Sequence, residues 1–230
     1  MRSSRTFGTI ILVLLGCMLL IFSFLWEDYY LWFSIGFIFI SILFFLVRFE
    51  KRKIEPRELV LLAVLASIAA VGRIPFASIP SVQPTTFVIM MSGLVFGAES
   101  GLVIGAVAAL TSNMILGQGP WTPWQMLAWG LVGLTAGMLR KTKLLKSTFG
   151  KIIFGIIWGF LFGWIMNLWG LLALTQSGTS LTFEAVLMYF AGSSLFDSMH
   201  SVSNVFFLLL FGDIWMKNLT RFKVKYGLLD

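Results

Sequence analysis

Asn113–Gly130 reads NMILGQGPWTPWQMLAWG. It sets a compact polar turn between two apolar runs, and that arrangement decides the fold. Gly117 and Gly119 let the chain fold back tightly. Pro120 and Pro123 fix the backbone around the turn. A turn with apolar sequence on both sides is expected at a membrane edge, where the chain re-enters as a helix. Trp121, Trp124 and Trp129 suit an interfacial aromatic belt. A belt alone leaves Asn113, Gln118 and Gln125 unexplained, and a Trp/Gln/Asn cluster also suits a flat, polar-edged ligand.

The whole chain supports the membrane reading. Of its 230 residues, 58% are hydrophobic and only 12% charged, with mean hydropathy +0.93. A soluble domain carries about a quarter charged residues. The expected fold class is therefore an all-α integral membrane protein. Cys17 stands alone in an apolar run, which excludes a disulfide framework. Arg2 and Arg5 ahead of an apolar run imitate a secretory signal. No small-residue cleavage site precedes Trp26-Glu27-Asp28, however, and a second apolar run follows at once.

Eight apolar segments can be drawn, at 7–26, 29–48, 58–73, 84–98, 101–116, 122–139, 150–174 and 184–215. A full span needs about 20 apolar residues, so 84–98 and 101–116 are short. Ala98-Glu99-Ser100 reads as a turn between them. The net charge of +7 is explained by topology before nucleic acid. With the N-terminus inside and eight alternating helices, four basic clusters fall on the cytoplasmic side: Arg2 and Arg5; Arg48 to Arg57; Arg140 to Lys151; and Lys217 to Lys225. Arg73 alone falls outside. Both termini are then cytoplasmic, and the loops at 74–83, 117–121 and 175–183 face out together. The basic stretch Glu50–Arg57 divides the chain into an accessory N-terminal transmembrane hairpin, 1–50, and a six-helix unit, 57–230.

Small residues mark close helix contacts. Ala66 and Ala70 lie four apart in the third segment, with Ala63 and Ser67 adjacent. Gly155, Gly159 and Gly163 form a second stripe. Polar residues inside the apolar segments are costly and few. Asp197, His200 and Asn204 share one helix face. An Asp–His pair at i, i+3 can satisfy itself by hydrogen bonding, and the alternatives are ligand contact or a coupling role. One His and one Asp fall short of a metal site. Asn113 and Asn167 are isolated amides suited to interhelical hydrogen bonds. Arg73 either snorkels to headgroups or meets an anionic group on a ligand. The loop carrying Gln83 is long enough to close over an outer pocket. The candidate ligand contacts are Arg73, Gln83, Asn113, Gln118, Trp121, Trp124, Gln125, Asn167 and Tyr189. There is no phosphate-binding GxxxxGK[ST] loop and no HExxH. Asp197 is the single acid at membrane depth, where a proton-driven carrier would need more. Transport by this chain would need a separate engine.

Four stretches carry a family resemblance: RELVLLAVLASIAAVGR (57–73), FGAESGLVIGAVAALTSN (96–113), GQGPWTPWQMLAWGLVGLTAGML (117–139) and LFDSMHSVSNVFFLLL (195–210). In order and spacing they resemble the substrate-binding S components of energy-coupling factor (ECF) vitamin transporters, over roughly 57–215. The resemblance implies six core helices holding a vitamin from the extracellular side. It implies a membrane coupling subunit and two cytoplasmic ATPases as partners. It implies that the small face of the first core helix, Ala66 and Ala70 with Ala63 nearby, docks on the coupling subunit. It also implies reorientation of the S component in the bilayer to carry ligand inward. The Trp-rich GQGPWTPWQ pattern looks most like S components associated with cobalamin, with no covalently bound cofactor expected. Riboflavin or a queuosine-like base is the competing ligand. Outside the family, the alternatives are a lipid-modifying membrane enzyme using Asp197 and His200, and a scaffold without ligand.

Overall fold

The computed structural model describes residues 55–178 and 180–228 continuously, with single positions between 14 and 40. The helices expected at 7–26 and 29–48 lie outside the continuously described residues. The helices of the described region are α1 (Pro56–Val71), α2 (Thr85–Phe96), α3 (Ala98–Leu116), α4 (Thr122–Leu139), the short α5 (Lys143–Lys146), α6 (Thr148–Gln176) and α7 (Phe183–Tyr226). No strand occurs among the described residues. The all-α membrane reading holds: α3, α6, α7 and the stretch Pro56–Phe76, in which a 3-10 turn (Ile74–Phe76) follows α1, are long and apolar enough to cross a membrane.

Helix α1 starts where the sequence says it should. Pro56 occupies the first turn, where its missing N–H is not needed. The Glu58 carboxylate accepts the Glu55 backbone N–H at 3.3 Å, one half of a capping box. Leu62, Leu65, Ala66, Ala69 and Ala70 form the buried stripe. The opposite face, with Val60, Val64, Ile68 and Val71, is exposed and equally apolar. A helix apolar all round belongs in lipid.

Helix α2 is the centre of the bundle. Every residue from Thr85 to Phe96 is buried. Its 12 residues span about 18 Å, too little to cross a bilayer. It is instead enclosed by α1, α3, α4 and α7. At its end, Gly97 has φ +100, a conformation glycine adopts without strain. The free Val95 carbonyl there accepts from Arg140 Nη1 at 3.4 Å and Lys223 Nζ at 3.3 Å. Cations at a helix C-terminus match its dipole and satisfy its orphan carbonyls. These contacts tie α4 and α7 to the same end of the bundle, the lysine-rich end. The opposite end carries Arg73.

The expected turn at Ala98–Ser100 is absent. Gly97 alone separates α2 from α3, and Glu99 and Ser100 lie in the first turn of α3. The reversal needs only one residue because its backbone is left-handed. Helices α3 and α4 then cross at backbone contact. A Cβ on Gly133 would sit 2.1 Å from the Gly101 carbonyl oxygen, and one on Gly105 would sit 2.2 Å from that of Trp129. Gly93, Gly101 and Gly105, supplied by two helices, all allow close approach to α4. Helix α6 presents Gly155, Gly159 and Gly163 to α7, against Asn204, Ser201 and Asp197 in turn.

Helix α7 continues past the expected limit of 215 to Tyr226, a single helix of 44 residues and about 66 Å. The hydrocarbon core of a bilayer is only about 30 Å thick. The sequence shows no break because its basic end, Lys217 to Lys225, is rich in good helix formers.

Candidate functional site

Arg73 follows the last turn of α1, where Gly72 closes the helix. Its side chain turns into the bundle end and is half-buried. Nη1 donates to Ser112 Oγ at 2.6 Å and to Asn113 Oδ1 at 2.9 Å. Nε donates to Gln83 Oε1 at 3.1 Å. The guanidinium lies over the Trp129 indole, with Cζ 4.8 Å from the ring centroid. Four side chains from three separate elements therefore converge on one cation.

Asn113 is the hub beneath it. The residue is 2% exposed. Its Nδ2 donates to Thr122 Oγ1 at 3.0 Å and to Gln125 Oε1 at 2.7 Å. Thr122 donates to Gln118 Oε1 at 2.8 Å, and Gln118 Nε2 donates to the Leu110 carbonyl at 2.9 Å. The Gly117–Trp121 turn is thus braced by its own polar side chains. The Gln83 loop is pinned from the other side: Gln83 N–H donates to Ser203 Oγ at 3.0 Å, and that hydroxyl donates back to the Gln83 carbonyl at 3.2 Å.

A second layer lies deeper. Trp129 Nε1 donates to Thr86 Oγ1 at 3.0 Å, and Thr86 Oγ1 lies 2.7 Å from His200 Nε2. One lone pair of the hydroxyl takes the indole N–H, and its hydrogen can be donated to His200. Nε2 is then the acceptor and the ring proton sits on Nδ1. Phe162 closes this layer, 4.8 Å from the Trp129 ring and 4.9 Å from His200 between centroids.

The structure gathers Arg73, Gln83, Asn113, Gln118 and Gln125 into one cluster. Trp121 joins its rim, folded across Gly119. Trp124 belongs to α4 and is 3% exposed, so it is not an open face for a ligand; its indole N–H has no hydrogen-bond partner among the described residues. Asn167 is elsewhere, donating to Ser193 Oγ at 2.7 Å across the α6–α7 seam. Tyr189 sits over Gly170 in the same seam. Asp197 and His200 share a helix face but not a hydrogen bond. Asp197 accepts from Ser193 at 3.2 Å, whereas His200 reaches Thr86, so the self-satisfied pair is corrected. Asn204 donates to the Gly155 carbonyl at 2.9 Å. Ala66 and Ala70 are also corrected: they are 3% and 0% exposed, packed inside the bundle. The small residues on the open face of α1 are Ala63 and Ser67. Thr86, Ser112, Thr122 and Ser203 enter the site without having been singled out. A hydroxyl residue in an apolar run is too common a signal to mark a site.

The family described as "ECF transporter, substrate-specific component" matches residues 57–223. The chain belongs to this family. A substrate-specific component is a subunit of a transporter and not an enzyme. Among curated relatives, a UPF0397 protein of Aliivibrio fischeri is 22% identical over 185 residues, covering 74% of this chain and 93% of its own length. A UPF0397 protein of Vibrio atlanticus is 25% identical over 96 residues, 38% of this chain and 52% of its own. One of Aliivibrio salmonicida is 24% identical over 106 residues, 43% and 57% respectively. No solved structure matches. The matched span opens at Arg57, so the substrate-specific component includes α1 through most of α7.

Proposed function

We propose that this substrate-specific component binds cobalamin at the Arg73 end and delivers it to a membrane coupling subunit driven by two cytoplasmic ATPases. The observation that carries this reading is the polar cluster of Arg73, Gln83, Asn113 and Gln125, built at one end of an otherwise apolar bundle. The basic clusters crowd the opposite end, which supports assigning that end to the cytoplasm. Arg73 then faces outside, and both termini face in. Cobalamin suits the rim because its side-chain carbonyls can accept from the glutamine amides while Trp121 covers part of the macrocycle. Residues 57–230 are the working unit. The open face of α1, with Ala63 and Ser67 spaced for close helix approach, docks on the coupling subunit. That face continues into an apolar groove of about 600 Å³ shared with Trp215 and Phe222 of α7. The ligand moves inward when the bundle reorients on the coupling subunit.

The test is titration calorimetry of the purified chain with cobalamin, with riboflavin as control, alongside co-purification with ATPase-bearing partners. Saturable cobalamin binding without ATPases is expected. Riboflavin binding in its place would transfer the reading to a flavin. Failure to associate with any ATPase-bearing complex would count against the coupling scheme.

A further inference from the structure

We propose that the transported ligand presents an oxyanion, a carboxylate or a phosphate, to Arg73. This inference rests on the reading of the chain as a ligand-binding subunit, and it specifies the chemistry of that ligand. It follows from which way the amides must point. Arginine has only donors. The atom of Gln83 that faces Arg73 Nε must therefore be its oxygen, and so must the atom of Asn113 that faces Nη1. With its oxygen committed, Asn113 meets Gln125 through its nitrogen, so the facing atom of Gln125 is again oxygen. The orientation of three amides is dictated by one unambiguous donor, without any choice of flip.

The consequence is a surplus of unpartnered donors at the site, while each amide oxygen already accepts once and keeps a second lone pair. The Ser112 hydroxyl accepts from Arg73 and donates to the Ala109 carbonyl at 3.1 Å. The surplus donors are the Nη2 end of Arg73 and the Nε2 groups of Gln83 and Gln125. None of these has a hydrogen-bond partner among the described residues, and all three side chains are partly exposed. Every oxygen that accepts from Arg73 is neutral, so the positive charge is not cancelled within the cluster. A cation flanked by unpartnered amide donors complements a negatively charged, acceptor-rich group.

The test uses the full chain in uncharged detergent. Thermal midpoints are measured in phosphate, citrate, acetate and chloride at equal ionic strength. Affinities are then measured for two pairs that differ by a phosphate: cobinamide phosphate against cobinamide, and riboflavin 5′-phosphate against riboflavin. The expected result is stabilisation by the oxyanions over chloride, and about tenfold or more preference for the phosphate-bearing member, the size of one charge-assisted contact. Both effects should vanish in Arg73→Gln. Gln83→Glu guards against misfolding, since its carboxylate keeps the bond to Nε while cancelling the charge; it should lose the same preference with its fold intact. Stabilisation by phosphatidylglycerol in nanodiscs but by no soluble oxyanion would assign Arg73 to lipid headgroups and overturn the proposal. So would a wild-type chain that no oxyanion stabilises, or a preference that survives both variants. Cobalamin binding that is indifferent to Arg73 would sink the oxyanion inference alone. An Arg73-dependent preference for riboflavin 5′-phosphate, with no cobalamin binding, would sink cobalamin alone.

Discussion

The Arg73 guanidinium lies over the face of the Trp129 indole: its carbon sits 4.8 Å from the centroid of a ring that is fully buried. The indole is thus a floor under the cation rather than a platform for ligand. Its N–H, donated to Thr86, fixes the ring plane on which Arg73 rests. Replacing one or both functions separates them. Trp129→Phe keeps an aromatic floor and loses the hydrogen bond, at a cost of about 1 kcal/mol. Trp129→Leu loses the aromatic floor as well, which adds about 2 kcal/mol for a desolvated cation–π contact. Ligand affinity should fall further in Trp129→Leu than in Trp129→Phe. Calorimetry and thermal unfolding of the two variants check this; equal affinity losses would show that the aromatic floor does not position Arg73.

Asn113 tests the network from the other side. Asn113→Leu has similar bulk but takes one hydrogen-bond partner each from Arg73 Nη1, Gln125 Oε1 and Thr122 Oγ1, the last of them buried. An unsatisfied buried polar group costs about 1–3 kcal/mol. The variant should unfold at lower temperature and bind ligand weakly. Asn113→Asp supplies a carboxylate to Arg73 but cannot donate to Thr122 and Gln125. It should recover part of the stability and none of the binding, because it cancels the charge that faces the ligand. Full binding by Asn113→Asp would show that the charge is not used.

The helices were legible because lipid imposes long apolar runs, and Arg73 was legible because it breaks the charge pattern. The links between residues were not. Asn113 reads as an isolated amide because its partners stand 9, 12 and 40 positions away. Sequence spacing gives the faces of α1 but not which face turns inward. In a membrane helix both faces are apolar, so Ala66 and Ala63 look alike, yet one is buried and the other open. The start of α3 was missed because Glu99 and Ser100 resemble loop residues, while the actual break is the left-handed Gly97 just before them. The length of α7 was missed because hydropathy ends at the membrane edge and helix propensity does not.

The crossing of α3 and α4 makes a sharp steric prediction. Gly133→Ala places a methyl carbon against the Gly101 carbonyl, backbone that cannot rotate away. Overpacking of this kind costs about 1–3 kcal/mol or more. Gly192 lies inside α7 with nothing within 4 Å of an added Cβ. Gly192→Ala should therefore be neutral or gain up to about 1 kcal/mol of helix propensity. Thermal unfolding of both variants decides the matter, and a tolerant Gly133→Ala would mean the helices can separate at little cost.

Asp197 bears on the enzymatic alternative. It accepts from Ser193 in the α6–α7 seam and has no hydrogen bond to His200 or to the Arg73 cluster. Asn at 197 still offers an oxygen to Ser193. Asp197→Asn should thus bind ligand as the wild type does and transport it normally. Loss of binding or uptake in this variant would restore a functional role for the carboxylate.

The open face of α1 carries the last prediction. Ala63 and Ser67 lie four residues apart on that face, so they rise one above the other and permit a neighbouring helix to approach closely. Ala66 and Ala70 have the same spacing but look into the bundle. A bulky residue therefore has different effects at the two pairs. Ala63→Trp or Ser67→Trp should leave the thermal midpoint and ligand affinity unchanged, since neither touches the core or the Arg73 cluster. The same variants should lower co-purification with the coupling subunit and ATP-driven uptake, because the indole holds the helices apart. Ala66→Trp and Ala70→Trp should instead reduce folded yield, with binding and docking lost together through overpacking. Folded yield, ligand affinity and partner co-purification measured on all four variants separate these effects. If Ala66→Trp and Ala70→Trp fold, bind ligand and lose only the coupling subunit, docking belongs to the inward pair and the bundle must open to present it.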